Sequence, residues 1–260
     1  MSAEHWLRCP LPRPRAEVRL LCLPHAGGST SLYRAWPKLF PPQVEVLLVC
    51  PPGREHRLDD PFPADLLSLV RDLAVAVVPL LDRPWAVFGH SMGATVGHEL
   101  VLQLLSRGHR APVHLFASSR RAPQHYEHEG TMDLFGDEQL CAELVRLGGT
   151  DSALLELPEL RELVLPAVRG DYRLLATHRT RPTGPVGCPV TAFIGDEDRR
   201  ATTEGAPGWR EWTTATFELV TFPGGHFYFS DRPQDVVEAV LRRLPLPSGY
   251  VVESAGPQRR

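Results

Sequence analysis

Six short apolar runs, Val18–Leu23, Val44–Cys50, Trp85–Gly89, Val113–Ala117, Val190–Ile194 and Phe217–Phe222, recur along a chain of 260 residues. Each is predominantly apolar in character rather than alternating, as is expected of strands covered on both faces. Between them, Leu32–Phe40, Asp65–Leu81, Ala94–Arg107 and Gln234–Leu244 carry apolar residues at helical spacing and are long enough to cross over a sheet. The alternation predicts an α/β fold: a mostly parallel central sheet with helices on both faces. In such sheets, ligands and reactive groups gather at the C-terminal strand ends.

The alternation breaks between Arg120 and Pro185, a stretch too long for a structureless loop. Leu140, Leu144 and Leu147 follow helical spacing and stop at Gly148-Gly149, a C-cap signal. Leu160–His178 reads as two further helical pieces interrupted by Pro166 and Gly170. The expectation is a single domain over residues 1–244 with a helical lid inserted at about 120–185. Residues 245–260, rich in proline, glycine and charge, are expected to form a disordered tail.

Composition narrows the classes of function. The five cysteines, Cys9, Cys22, Cys50, Cys141 and Cys188, are odd in number and scattered, with no C-x-x-C pair, which points to reduced thiols in a cytoplasmic protein. No basic n-region followed by an apolar h-region opens the chain, and no apolar run reaches membrane-span length. A net charge of −3, with the arginines dispersed and Lys38 the only lysine, gives no electrostatic footprint for nucleic acid. No histidines and carboxylates fall at metal-ligand spacing, so neither metal nor cofactor is expected.

Between the third apolar run and the helical stretch that follows lies Gly89-His90-Ser91-Met92-Gly93. This is G-x-S-x-G in the strand-turn-helix setting of a nucleophile elbow, where glycines flank the serine because side chains there would strike the neighbouring strand or helix. A serine hydroxyl needs a base, and the base needs a carboxylate to fix its tautomer. In chain order these should follow as acid and then histidine. After Val190–Ile194 comes Gly195-Asp196-Glu197-Asp198, and after Phe217–Phe222 comes Gly224-Gly225-His226, both at C-terminal strand ends. Asp196, Glu197 and Asp198 all compete for the acid. A G-x-x-D turn gives Asp198 room to swing toward the histidine loop, leaving Asp196 to satisfy backbone amides of the turn. His90 and His98 lie too close to Ser91 in sequence to reach its hydroxyl, so His226 is the expected base. Two amides should hold the oxyanion: that of Met92, next after the nucleophile, and that of Ala26 in the loop Pro24-His25-Ala26-Gly27-Gly28-Ser29.

Taken together, these residues resemble the free-standing type II, or editing, thioesterases of polyketide and nonribosomal peptide synthesis, members of the α/β-hydrolase superfamily. The resemblance runs from about Trp6 to Leu244. It rests on Leu23–Ser29, on Pro51-Pro52-Gly53-Arg54-Glu55 with Arg57 following, on Phe88–Ala94, on Leu165-Pro166 through Arg169, Asp171 and Tyr172, and on Gly224–Tyr228. It implies a Ser91, Asp198 and His226 triad with Ala26 and Met92 as oxyanion donors. It also implies hydrolysis of acyl groups from the phosphopantetheine arm of acyl or peptidyl carrier proteins, met transiently by a monomer. One departure is visible: a proline often follows the acid in this family, whereas Arg199-Arg200 follows Asp198 here. Two other readings use the same residues, a carboxylesterase or lipase acting on oxygen esters and a catalytically silent hydrolase fold that binds a synthase.

Overall fold

In the computed structural model, which describes residues 3–128, 134–149, 157–179 and 184–247, seven strands form one sheet. They are β1 (Leu7–Arg8), β2 (Val18–Leu23), β3 (Val44–Val49), β4 (Trp85–His90), β5 (His114–Ser118), β6 (Val190–Gly195) and β7 (Phe217–Phe222), in the spatial order β1-β3-β2-β4-β5-β6-β7. Strands β2 to β7 pair in parallel, and β1 alone runs antiparallel, Leu7 opposite Val49. The helices are α1 (Ala3–Trp6), α2 (Trp36–Leu39), α3 (Leu66–Val77), α4 (Met92–Ser106), α5 (Asp137–Leu147), α6 (Pro158–Thr177) and α7 (Pro233–Leu241).

Successive strand residues point to opposite faces, so each apolar run feeds two cores. Leu21 and Leu23 of β2 and Val87 of β4 join α3 and α4 on one face. Leu20, Cys22 and Phe88 join Trp36 of α2 and Val236, Val237 and Val240 of α7 on the other. The mostly parallel sheet with helices on both faces is therefore the architecture that the alternation predicts. The fourth strand and α4 are buried along nearly their whole length, which fixes the turn between them against rigid elements on every side.

The structure departs from the sequence reading in four places. Strand β1 has only two residues, too few for periodicity to reveal. The Leu32–Phe40 helix is broken into a 3-10 turn, Thr30–Tyr33, and the four-residue α2, with Pro37 at the start of the latter. Strand β7 is not uniformly buried, because it is the sheet's edge and Glu218 and Thr221 face solvent. Helix α6 is one continuous twenty-residue helix rather than two pieces. Pro166 removes one backbone hydrogen bond there, but Leu165, Val168, Tyr172 and Leu175 bury a common stripe that carries the helix through it. At Gly170, a Cβ would come within 2.8 Å of the Phe62 ring, so the glycine serves packing rather than chain reversal.

Helices α5 and α6 both fall in the 120–185 insertion. Arg169 joins them through bonds to Asp137 (2.6 Å) and the Phe135 carbonyl (2.6 Å). Parts of that insertion, and residues 248–260 of the tail expected over 245–260, lie outside the described residues. Among the described residues, no helix is long and apolar enough to cross a membrane.

Candidate active site

Ser91 sits between β4 and α4 with φ 54° and ψ −117°, a conformation that costs a non-glycine residue about 1–3 kcal/mol. The surroundings enforce it. The Ser91 amide donates to the Ser118 carbonyl at 2.8 Å, and the Ser91 carbonyl accepts from the Ala94 amide at 3.0 Å. A Cβ at Gly89 would lie 2.2 Å from the Gly93 carbonyl oxygen, and one at Gly93 would lie 2.2 Å from that of Leu23. The two flanking glycines are thus required by contact between the turn and its own neighbours.

The acid and histidine loops meet beyond β6 and β7. His226 Nδ1 is 3.0 Å from Asp198 Oδ2, and both side chains are almost wholly buried. Asp198 Oδ1 accepts from the amides of Arg200 (2.8 Å) and Ala201 (3.3 Å). Burial alone would raise the Asp198 carboxyl's pKa. The bond and charge of His226, the Arg200 amide and the Ser119 hydroxyl outweigh that and hold it below its ordinary value. The carboxylate therefore stays ionised. Asp196 instead bridges the two loops, its Oδ1 accepting from the Gly224 amide at 2.8 Å. That is an amide-satisfying role, as the sequence suggested, although the amide belongs to the neighbouring loop.

Ser119 was not singled out from sequence. Its hydroxyl donates to the His226 carbonyl at 3.0 Å and lies beside the Asp198 carboxylate. Its φ of 48° is a second strained backbone at a C-terminal strand end. The sequence signal was the polar pair Ser118-Ser119 closing the apolar stretch Leu115-Phe116-Ala117. The Ser118 hydroxyl in turn lies 2.9 Å from His90 Nδ1 and 2.7 Å from the Tyr228 hydroxyl. Tyr228 stacks on Phe222 with ring centroids 5.0 Å apart. The chain just after His226 is thereby tied to β5.

Three histidines converge here. The His90 ring centroid is 5.1 Å from that of His226 and 6.1 Å from that of His25. Desolvation, followed by the nearby His226 charge, lowers the pKa of His25 to about 3 and that of His90 well below its ordinary value. Both therefore remain neutral, so an imidazolium can form at His226 without facing two like charges.

Met92 is the first residue of α4, where a helix leaves its amides without intrahelical acceptors. Ala26, in the loop after β2, has no acceptor for its amide among the described residues. Ala26, Ser91 and His226 line one small pocket with His25, Phe227, Leu144 and Leu147 of α5 and Tyr172 of α6. The sequence-predicted nucleophile, base and second oxyanion donor thus share a wall.

Below that wall lies a buried ion pair. Arg54 makes two parallel bonds to Asp171, at 2.7 and 2.9 Å, and a third to the Gly28 carbonyl at 2.9 Å. Asp171 Oδ2 also accepts from the Gly27 amide at 2.7 Å. Gly27 has φ 75°, and a Cβ there would come within 2.3 Å of Val168, so the loop bearing Ala26 is pressed against α6. Glu55 holds the far side of the same loop through the Thr30 amide and hydroxyl, each at 2.8 Å. Asp171→Asn should therefore destabilise the fold by about 3–5 kcal/mol, because it leaves the Arg54 charge buried without a partner. The double change Arg54→Met with Asp171→Leu should cost less. Denaturant midpoints check this, and an unchanged midpoint for D171N would count against the pair as an anchor.

Outside this site, Cys50, Glu55 and His56 place a sulfur, a carboxylate and an imidazole within 4.8 Å of one another. Burial, followed by the Glu55 charge, pushes the Cys50 thiol up to about 12, opposite to what a thiolate ligand needs. Glu55 is moreover engaged by Thr30. All five cysteines are free thiols.

A thioesterase-domain family model matches residues 18–244. The gramicidin S biosynthesis protein GrsT of Aneurinibacillus migulanus is 35% identical over 231 residues, covering 89% of this chain and 90% of its own. Thioesterase PikA5 of Streptomyces venezuelae is 38% identical over 249 residues, 94% of this chain and 87% of its own. Among solved structures, the type II thioesterase BorB from the borrelidin biosynthetic cluster superimposes with a TM-score of 0.84 at 38% identity, covering 92% of this chain and 97% of BorB.

Proposed function

The chain belongs to the thioesterase-domain family, and on that premise we propose that it hydrolyses stalled or wrongly primed acyl groups held as thioesters on the phosphopantetheine arm of acyl and peptidyl carrier proteins. The observation that carries this reading is the meeting of Ser91, His226 and the unengaged Ala26 amide in one pocket, with Asp198 on the far nitrogen of the imidazole.

Ser91 attacks the thioester carbonyl as His226 takes its proton, and the Ala26 and Met92 amides hold the resulting oxyanion. Collapse of the tetrahedral intermediate breaks the C–S bond. The thiolate leaves readily and recovers the proton from His226. Water then attacks the acyl-Ser91 ester with His226 as base, releasing the carboxylic acid and the free serine. Asp198 orients the imidazole and stabilises its charged form without taking the proton. This sequence calls on no cofactor or metal. Helices α5 and α6 act as the lid, with Leu144, Leu147 and Tyr172 against the acyl group, shielding it from bulk solvent while the hydrolytic water reaches the acyl-serine. The protein works in the cytoplasm as a monomer meeting its carriers transiently.

The test is a comparison of kcat/KM on an acyl-phosphopantetheinyl carrier protein and on an oxygen ester of the same acyl group. The thioester on the carrier should be preferred by at least tenfold, since carrier contacts add to transition-state binding. A strong preference for the oxygen ester would point to a carboxylesterase instead.

A further inference from the structure

The small pocket beside Ala26 shares Ser91 and His226 with another space. This second space is a cleft of about 220 Å³ lined by Ser91, Ser119, Arg120, Arg121, Arg199, Arg200 and His226. Four arginines and, among the described residues, no carboxylate border it, while Glu197 and Asp198 line the adjoining opening that shares Arg199 and Arg200 with it. Two of the four are committed elsewhere. Arg120 bonds Thr95 at 2.7 Å and lies over the Tyr126 ring, and Arg200 pairs with Glu143 at 2.9 Å. The guanidinium groups of Arg121 and Arg199 have no hydrogen bond or ion pair among the described residues. Arg121 follows β5 and Arg199 follows β6, so two guanidinium groups without bonds among the described residues flank the cleft from adjacent loops.

A thioester bound for attack places its acyl chain and its thiol-bearing half on opposite sides of the carbonyl. Leu144, Leu147, Tyr172 and Phe227 make the first space suited to an acyl chain, and the arginines make the second suited to an anion. We propose that the cleft between Arg121 and Arg199 binds the phosphate group of the thiol-bearing half of the substrate. Paired N–H donors in a fixed fork match phosphate oxygens, and both side chains are available without breaking an existing bond. Arg199 stands where the resembling family often has proline, so the subsite would distinguish this chain from such relatives. The inference rests on the thioesterase reading and extends it to the direction in which the substrate lies.

The experiment compares one acyl group carried on pantetheine, on 4′-phosphopantetheine, on coenzyme A and on a carrier protein, using the full chain and its Arg121→Gln/Arg199→Gln and Arg121→Lys/Arg199→Lys forms. The wild type should prefer acyl-phosphopantetheine over acyl-pantetheine by about tenfold in kcat/KM, mainly through KM. That ratio should shrink as salt rises. It should approach one in the glutamine form and be partly kept in the lysine form. Faster turnover of the acyl-carrier protein than of acyl-coenzyme A would identify the carrier's phosphodiester as the source of the phosphate. The reverse would identify the coenzyme, and either supports the subsite. Equal turnover of acyl-pantetheine and acyl-phosphopantetheine by the wild type, or a preference that survives the glutamine changes, would overturn this inference alone. Turnover of none of the thioesters would overturn the thioesterase reading and this inference with it.

Discussion

Ser91→Ala lowers kcat by about 10⁴-fold or more, as removal of an activated nucleophile does elsewhere, with KM changed far less. The magnitude follows from what remains. Oxyanion donors and the substrate walls still bind the carbonyl, but only water can attack it. The fold should survive, because alanine meets the same backbone conformation as serine at φ 54° and the turn is held by backbone bonds to Ser118 and Ala94. Single-turnover kinetics on an acyl-carrier substrate, beside a thermal melt, separate the two effects. A Ser91→Ala enzyme that hydrolyses at more than a hundredth of the wild-type rate would remove Ser91 from the role of nucleophile.

The second large effect discriminates between neighbours. Asp198→Asn should lower kcat by about 10³–10⁴-fold, whereas Asp196→Asn should cost less than about tenfold. Asp198 faces a ring nitrogen of His226 at 3.0 Å, and an amide there can present its NH₂ group and favour the wrong tautomer. Asp196 uses one oxygen to accept from the Gly224 amide, a task that an asparagine oxygen performs equally well. Equal losses from the two variants, or a larger one at Asp196, would assign the acid role to the other carboxylate.

The strands β2 to β6 were legible because each is a short, predominantly apolar run, a pattern that a doubly covered sheet imposes, and β7 because Phe217, Leu219, Val220 and Phe222 outweigh its two solvent-facing residues. What escaped was governed by contacts distant in sequence. Strand β1 exists because Leu7 finds Val49, and α6 stays whole across Pro166 because its stripe is buried. The elbow serine, the two loops and the Ala26 loop could be named from order and spacing alone, since they stand at strand ends. Ser119 could not be, as its value lies in reaching both Asp198 and the His226 carbonyl. Arg54 and Asp171 stood out in sequence without a role. Their 117-residue separation hides a pairing that only the folded chain reveals.

The order of strands also sets a timetable. The elbow lies on β4, near the middle of the sheet, whereas the proposed acid and base follow β6 and β7, the last two strands of the chain. During synthesis, Ser91 therefore emerges more than a hundred residues ahead of His226. A nascent chain can bring β2, β3 and β4 together around the serine while its proposed base, His226, does not yet exist. Under the proposed mechanism, reactivity arrives with the closing edge strand, and the hydroxyl is armed only in a molecule whose sheet is complete.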